Sequence, residues 1–125
     1  MKKKKILLIE DEPCQVLMVG FRLEANNFDF ISACNGEEGL KKAHEEKPDL
    51  ILLDLFMPGI NGYEVCRRLK LDQGTQNIPI VFFTASVGHD IKVKFREYGA
   101  DDYICKPFEA EDLLSKINVL LKEKD

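Results

Sequence analysis

The sequence predicts an α/β fold in which five parallel strands form one sheet with helices on both of its faces. Short apolar runs alternate along the chain with segments whose apolar residues recur at helical spacing. Three of the runs are apolar almost throughout, which is typical of parallel strands that are buried on both faces. Because the alternation repeats five times, right-handed crossovers should distribute the helices over both faces of a doubly wound sheet.

The strands are predicted from the apolar runs. The first, third and fourth runs are almost continuously apolar, whereas the second and fifth also contain polar residues. In chain order the predicted strands are Ile6–Ile9, Phe28–Ala33, Leu50–Leu53, Ile78–Phe83 and Asp102–Cys105.

Five segments between and after these strands are predicted to be helices. Pro13 suits the first turn of the first helix, where a backbone amide would have no partner in the helix. The last segment carries apolar residues at helical spacing from Leu113 to Leu121. The predicted helices are Pro13 to about Asn26, Gly36–Glu46, Gly62–Lys70, about Gly88–Tyr98 and Ala110–Lys122.

Length and composition restrict the class of protein. The chain has 125 residues, 45% of them apolar and 32% charged, so we expect a single domain over residues 1–125 with no effector domain. A net charge of −4 argues against nucleic acid as a direct partner. No apolar run approaches the roughly 20 residues of a membrane span. The four cysteines are far apart and show no CxxC spacing, so we expect them to be buried, reduced side chains in the cytoplasm.

Polar residues gather where the predicted strands end. Sites in parallel α/β folds lie at the carboxyl ends of the strands. Glu10 and Asp11 follow the first strand, and Asp54 ends the third. Thr84 follows the fourth strand and Lys106 follows the fifth. The most hydrophobic run of the chain therefore ends in an acid because the strand delivers Asp54 to the functional edge of the sheet.

These side chains suit a metal-assisted phosphoryl site. Three neighbouring carboxylates repel one another unless a cation neutralises them, and Mg²⁺ prefers such oxygen ligands. Lys106 adds a second positive charge and Thr84 adds a hydroxyl donor. In such a site the metal and the ammonium stabilise charge on phosphoryl oxygens, and Asp54 is placed to be the nucleophile.

From end to end the chain resembles the receiver domain of two-component response regulators. Four segments in order carry the resemblance: "LLIEDEP" (7–13), "PDLILLDLFMPGINGYE" (48–64), "IPIVFFTA" (78–85) and "GADDYICKPF" (99–108). The resemblance implies a flavodoxin-like (βα)₅ fold with strand order 2-1-3-4-5. It also implies a phosphoacceptor switch rather than an enzyme, one that assists its own Mg²⁺-dependent phosphorylation and dephosphorylation.

The resemblance also assigns roles to the acidic residues. Asp54 would accept a phosphoryl group from a histidine kinase or a phosphotransfer protein. Glu10, Asp11, Asp54 and the backbone carbonyl of Phe56 would hold Mg²⁺ or Mn²⁺. In this scheme Asp11 is a direct ligand, whereas Glu10 acts through a water molecule.

Phosphorylation is then expected to act as a switch. Lys106 would pair with the phosphoryl group and Thr84 would hydrogen-bond it, and the Lys106–Pro107 peptide is expected to be cis. Movement of Thr84 would reposition the start of the fourth predicted helix, after which Tyr103 turns inward. The fourth helix, fifth strand and fifth helix would then control a downstream protein or a fused effector.

Three positions modify these expectations. Glu10 stands where many receivers carry aspartate. Its extra methylene should be tolerated if Glu10 acts through a water molecule, whereas a change in Mg²⁺ affinity is left open. Phe56 and Ser86 would flank the site and tune dephosphorylation. The bulk of Phe56 would hinder the attacking water, whereas the small Ser86 would leave it room. Because the two effects oppose each other, the sequence does not fix the lifetime of the phosphoryl group.

The first predicted helix is apolar nearly all round, although a surface helix usually has one polar face. We expect Met18, Val19 and Leu23 to pack on the sheet. The opposite face would then be an apolar outer stripe: Val16, Leu17, Gly20 and Phe21. Such a stripe near the acceptor is a candidate docking surface for a helix of a kinase or phosphotransfer protein, or for a second copy of the chain. The alternative is that neighbouring helices cover it.

Proteins of other classes fit the sequence less well. A flavin-binding electron carrier needs a phosphate loop rich in Ser, Thr and Gly after the first strand, whereas "EDEPCQ" is acidic. Haloacid-dehalogenase-type hydrolases and topoisomerase–primase-like metal domains need Asp-x-Asp, but Leu55 and Phe56 follow Asp54. A pseudo-receiver that binds without being phosphorylated stays an alternative, although the acceptor, the acids and the lysine are all present.

Overall fold

A computed structural model describes residues 3–85 and 94–124 of the chain, and within these ranges five strands alternate with four helices. The strands are β1 (Lys5–Ile9), β2 (Asp29–Ala33), β3 (Leu50–Leu53), β4 (Ile80–Thr84) and β5 (Asp102–Cys105). The helices are α1 (Pro13–Ala25), α2 (Gly36–Glu46), α3 (Gly62–Leu71) and the last helix (Ala110–Lys124). None of the helices in the described ranges is long and apolar enough to cross a membrane.

All five strands pair in parallel, in the order β2-β1-β3-β4-β5. The predicted flavodoxin-like, doubly wound sheet is therefore confirmed. β1 and β3 lie in the interior of the sheet, so their carboxyl ends are flanked by strands on both sides. This arrangement brings the residues that follow β1 and β3 next to each other.

Element bounds agree with the prediction to within about two residues, and the largest difference at a strand start has a local cause. β4 begins at Ile80 rather than Ile78. The Ile78 amide instead donates to the Thr75 carbonyl in a turn, and Pro79 has no amide to donate. Residues 88–93 of the predicted helix Gly88–Tyr98 lie outside the described ranges, and residues 95–98 at its end form turns instead.

The core has two layers because successive residues of each strand point to opposite faces of the sheet. In β1, Leu7 and Ile9 join a cluster with α2 and α3. Ile6 and Leu8 join the opposite cluster, with α1 and the last helix. Every residue of β3 and β4 is buried, as predicted for strands covered on both faces. The sheet thus supports the loops that follow the strands.

The expectation that the cysteines are buried is correct for only one of the four. Cys66 lies in the core, Cys105 is partly buried, and Cys14 and Cys34 are exposed.

The first three helices begin close to the carboxyl edge of the sheet, each with a capped first turn. The side chains of Glu12, Asn35 and Asn61 each accept an amide hydrogen bond from the first turn of the helix that follows. Such caps satisfy amides that would otherwise have no partner in the helix. The loops that lead into these three helices are therefore fixed at the ends where the helices begin.

Candidate functional site

Sheet hydrogen bonds continue one residue past the strands and fix the backbone of the candidate site. The Glu10 amide donates to the Ala33 carbonyl at 2.9 Å, and the Asp54 amide donates to the Ile9 carbonyl at 3.0 Å. At the other side of the site, the Lys106 amide donates to the Thr84 carbonyl at 2.8 Å. The strands themselves therefore position the acids and the lysine.

Three carboxylates converge at this edge, as the sequence predicts. One oxygen each from Glu10, Asp11 and Asp54 lies within 4.8 Å of the others. Glu10 is 1% exposed and Asp54 is 4% exposed, whereas Asp11 is open to solvent. Oxygen donors at this spacing, with one solvent-facing side, fit a hard cation that keeps several waters, such as Mg²⁺.

Lys106 supplies the positive charge of the cluster. Its side chain is 12% exposed, and Nζ donates a hydrogen bond to Oε1 of Glu10. The same nitrogen lies 3.6 Å from Oδ2 of Asp54 and 4.9 Å from the centroid of the Phe83 ring. The ammonium thus lies between two of the acids, with its hydrogen bond on Glu10.

The protonation of Glu10 reflects this environment. Burial raises the pKa of Glu10 from its usual value of 4.5 to about 7. Hydrogen bonds from Lys106 and from the Glu12 amide lower this pKa, whereas the charge of Asp54 raises it. A cation bound in the acidic cluster would favour the ionised form of Glu10.

The loop after β3 is held from both sides. Oδ1 of Asp54 accepts a hydrogen bond from the Phe56 amide at 3.1 Å, and the Leu55 carbonyl accepts one from the Gly62 amide at 3.0 Å. A Cβ at Gly62 would lie 2.5 Å from the Asp54 carbonyl oxygen and 2.5 Å from the Leu55 Cα. Gly62 therefore lets α3 approach the backbone of Asp54. This contact was not predicted from the sequence, in which the pair Asn61–Gly62 is the one signal for it.

The remaining predicted site residues of the edge have different outcomes. Thr84 is fully buried at the end of β4. The Lys106–Pro107 peptide is cis, as predicted. Phe56 is 57% exposed beside Asp54. Ser86 lies outside the described residues.

Tyr103 on β5 is partly buried and packs against the core layer that contains α2 and α3. Its ring centroid lies 5.1 Å from that of Phe95. Lys116 of the last helix lies over the Tyr103 ring at 4.9 Å and donates a hydrogen bond to the Tyr103 carbonyl at 2.7 Å. Tyr103 therefore links β5 to the last helix and to the segment around Phe95.

The phase of α1 differs from the prediction. Met18, predicted to face the sheet, is 54% exposed. Gly20, predicted to lie outside, is buried, and a Cβ there would lie 2.7 Å from the Phe30 ring. Val16, also predicted on the outer stripe, is partly buried and packs against the core. Positions 16, 19, 20 and 23 share one helical face, which is the face that packs on the sheet.

The exposed stripe of α1 therefore consists of Leu17, Met18 and Phe21. Leu17 and Phe21 are each 73% exposed. With Arg22, Phe108 and Ala110, these residues line an open groove of about 460 Å³. Leu17 also lines a second cavity, which includes Glu10 and Asp11, so this side chain contributes to both. Phe108 was not predicted as part of this surface, because the groove is formed by residues that are far apart in the chain.

Comparison with known proteins identifies the family. The family model of the response regulator receiver domain matches residues 6–118. The chain therefore belongs to the response regulator receiver domain family. A solved receiver domain protein of the CheY-like type from Methanospirillum hungatei superposes with a TM-score of 0.87 at 30% identity, covering 98% of this chain and 96% of that one.

Two curated relatives are transcriptional regulators by name. The alkaline phosphatase synthesis transcriptional regulatory protein PhoP of Bacillus subtilis is 41% identical over 122 residues, covering 98% of this chain and 50% of PhoP. The DNA-binding dual master transcriptional regulator RpaA of Synechocystis is 38% identical over 121 residues, covering 97% of this chain and 50% of RpaA. The chain thus spans about half the length of these relatives.

Proposed function

We propose that Asp54 accepts a phosphoryl group from a phosphohistidine of a kinase or phosphotransfer protein. One observation carries the proposal: Asp54 is nearly buried in a cluster with two other carboxylates within 4.8 Å and the Lys106 ammonium at 3.6 Å. In the transfer, an Asp54 carboxylate oxygen forms the new P–O bond. The P–N bond of the donor breaks, and the imidazole leaves with the electron pair.

The other groups of the cluster support this transfer by charge. The groups that would hold the metal are Asp11, Asp54 and the Phe56 carbonyl, with Glu10 acting through a water molecule. When bound there, Mg²⁺ would neutralise charge on the carboxylates and on the phosphoryl oxygens. Lys106 is close enough to Asp54 to pair with a phosphoryl group formed on it. The Thr84 hydroxyl, at the end of the neighbouring strand, would donate a hydrogen bond to the same group.

Intact-protein mass after incubation with acetyl phosphate and Mg²⁺ tests the acceptor directly. We expect one phosphoryl adduct on the wild type, and none after Asp54→Asn or when EDTA replaces the metal. Asp72→Asn is the matched control, because Asp72 is an exposed aspartate paired with His44 away from the edge. An adduct that persists in Asp54→Asn would refute the assignment. A wild type that resists every donor would instead favour the pseudo-receiver alternative.

We propose that Phe56 and Ser86 set the lifetime of the phosphoryl group. Phe56 stands exposed two residues beyond Asp54, where its ring would hinder the water that attacks the phosphorus. Phe56→Ala should therefore shorten the half-life of the adduct, and Ser86→Phe should lengthen it. Following the decay of the intact mass after removal of acetyl phosphate measures both. Unchanged half-lives would show that neither side chain controls the access of water.

We further propose that phosphorylation is read out through Thr84 and Tyr103. The contacts of Tyr103 with Phe95 and Lys116 join β5 to the last helix, so a movement at Tyr103 would alter this face of the molecule. Incorporating fluorotyrosine gives ¹⁹F signals for the three tyrosines of the chain. The signal that disappears in Tyr103→Phe is that of Tyr103. The Tyr103 signal should move on phosphorylation of the wild type but not of Thr84→Ala. A signal that stays in place in the phosphorylated wild type would argue against this readout.

The exposed stripe of α1 is proposed to dock a helix of the phosphodonor protein. Its residues Leu17, Met18 and Phe21 present apolar side chains to solvent. Leu17 lines both this groove and the cavity at Glu10 and Asp11, and a helix seated across Leu17 would bring its histidine toward Asp54. Val16, predicted as part of this surface, is partly buried and packs against the core, so the proposal is limited to the three exposed residues.

Phe21→Glu tests this surface with two donors. Phosphotransfer from a histidine kinase that phosphorylates the wild type should slow at least tenfold, whereas phosphorylation by acetyl phosphate should not change. Leu71→Glu is the control, since Leu71 is similarly exposed on α3. Equal rates with the kinase would refute docking at this stripe. A concentration-dependent dimer lost in Phe21→Glu would identify a second copy as the occupant instead.

The output is proposed to be control of a downstream protein or of an effector joined to the receiver, in the cytoplasm. PhoP and RpaA are regulators of transcription by name, and the chain matches about half of each. Any contact with DNA would then belong to other parts of such a regulator, because this chain has a net charge of −4.

A further inference from the structure

Both carboxylate oxygens of Glu10 are engaged in the structure. Oε1 accepts the hydrogen bond from Lys106 Nζ, and Oε2 accepts one from the Glu12 amide at 3.1 Å. Glu12 in turn caps the first turn of α1. Glu10 therefore connects the lysine after β5 to the start of α1, across the middle of the site.

Lys106 is hydrogen-bonded to Glu10 and not to Asp54. Lys106 Nζ lies 3.6 Å from Oδ2 of Asp54, beyond normal hydrogen-bond distance, although its charge still acts on Asp54. The Phe83 ring, with its centroid 4.9 Å from Nζ, gives the ammonium a further favourable contact. The ammonium is thus held beside the proposed nucleophile, without a direct hydrogen bond to it.

We propose that Glu10 is a positioning residue for Lys106, which keeps the ammonium next to Asp54 but not hydrogen-bonded to it. The inference rests on the proposed role of Asp54 as acceptor. A direct hydrogen bond from an ammonium would stabilise the attacking carboxylate oxygen and occupy one of its lone pairs, so transfer would slow. Held by Glu10, Lys106 leaves that oxygen free and still lies within reach of the phosphoryl group once it forms.

The length of the side chain is essential to this role. Glutamate reaches the Glu12 amide and Lys106 together. Aspartate is shorter by one carbon–carbon bond, about 1.5 Å, and cannot keep both contacts from the same backbone position. In Glu10→Asp we therefore expect Lys106 to move onto Asp54, although the charge of the cluster is unchanged.

A double-mutant cycle between Glu10 and Lys106 tests the proposal. We would measure phosphorylation by acetyl phosphate at saturating Mn²⁺, by intact mass, for the wild type, Glu10→Asp, Lys106→Met and the double variant. Glu10→Asp should slow phosphorylation roughly three- to tenfold, which lies within the range of couplings between contacting residues. In the Lys106→Met background the same substitution should have no further effect. A loss of the same size in both backgrounds, or no loss in either, would overturn the proposal.

Mn²⁺ affinity, measured from the electron paramagnetic resonance signal of the free ion, separates positioning from ligation. Asp11→Asn should weaken Mn²⁺ binding strongly, whereas Glu10→Asp, which keeps the charge of the cluster, should weaken it much less. A comparable loss in both variants would make Glu10 a direct ligand and refute the proposal. If Glu10→Asp fails to fold, Glu10→Gln replaces it in the double-mutant cycle with Lys106→Met. Glutamine removes the negative charge and so weakens the contact with Lys106. If the wild type formed no phosphoryl adduct, the proposed role of Asp54 as acceptor would be refuted. This outcome is distinct from a failure of the proposal for Glu10.

Discussion

The interior of the sheet and its carboxyl edge are built from the same strands but differ in how burial affects stability. Ile9 and Leu53 are fully buried and apolar, and the next residues, Glu10 and Asp54, are almost as buried but carry carboxylates. Burying apolar surface stabilises the fold by about 25 cal/mol per Å². Burying a carboxylate costs free energy unless a partner compensates it. The interior therefore supports an edge that would be unfavourable alone.

This difference predicts what substitutions do in each region. A change in the interior should alter stability and leave the chemistry of the folded protein intact. A change at the edge should alter the chemistry, and in some cases it should make the fold more stable. The predictions below run from the largest expected effect on stability to the smallest.

Leu52→Ala should lower the free energy of unfolding by about 2–5 kcal/mol, because it leaves a cavity in the core. Leu52 is fully buried in the layer beneath α1 and the last helix. Denaturant unfolding measures the change. The matched control is Leu71→Ala, since Leu71 is 68% exposed and its loss should change stability by no more than about 0.5 kcal/mol. Equal effects at the two positions would contradict the assignment of the core.

Gly62→Ala should affect both regions, because it lies where the interior supports the edge. An added Cβ would collide with the Asp54 carbonyl oxygen and the Leu55 Cα, both at 2.5 Å. We expect a loss of about 1–3 kcal/mol, typical of overpacking, together with slower phosphorylation because the backbone of Asp54 shifts. Urea unfolding and the rate of adduct formation measure the two effects.

Gly74→Ala is the control for the added methyl group. A Cβ at Gly74 would meet the flexible end of the Lys47 side chain at 2.9 Å, which can move aside. Its effect on stability should be smaller than that of Gly62→Ala, and phosphorylation should be unchanged. If Gly62→Ala were as stable and as active as the wild type, α3 would have to tolerate a shift away from the acceptor loop.

The sequence predicts most of the interior because the interior depends on short-range patterns. β3 has the predicted bounds since an apolar run between turns leaves little choice, and α2 likewise runs from Gly36 to Glu46 as predicted. The position of Asp54 also follows, because parallel strands end at one edge. The phase of α1 was predicted wrongly for Met18 and Gly20, since a helix that is apolar all round does not show which face packs on the sheet.

The sequence predicts which residues gather at the carboxyl edge of the sheet, but it does not predict which of their side chains bind one another. Parallel strand order places Glu10, Asp54 and Lys106 together, yet it does not indicate which acid the lysine binds. Whether the lysine binds Glu10 or Asp54 depends on the length of the Glu10 side chain and on the position of the Glu12 amide. The end of β1 places Glu10, and the start of α1 places this amide. The contact of Gly62 with the Asp54 backbone was missed for the same reason, because it depends on how closely α3 approaches the loop.

The smallest effect should be a dependence of stability on pH at Glu10. In the folded protein its pKa is raised to about 7, above the usual 4.5, so between these values the folded state keeps a proton that the unfolded state has lost. Glu10 therefore destabilises the fold as the pH rises from 4.5 to 7. Glu10→Gln, measured by thermal unfolding in EDTA, should gain stability relative to the wild type as the pH rises through this range, by an amount on the order of 1 kcal/mol. A difference between the two proteins that stays constant from pH 5 to pH 8 would show that the Lys106 contact keeps Glu10 ionised throughout, and the buried charge of the edge would then be fully compensated.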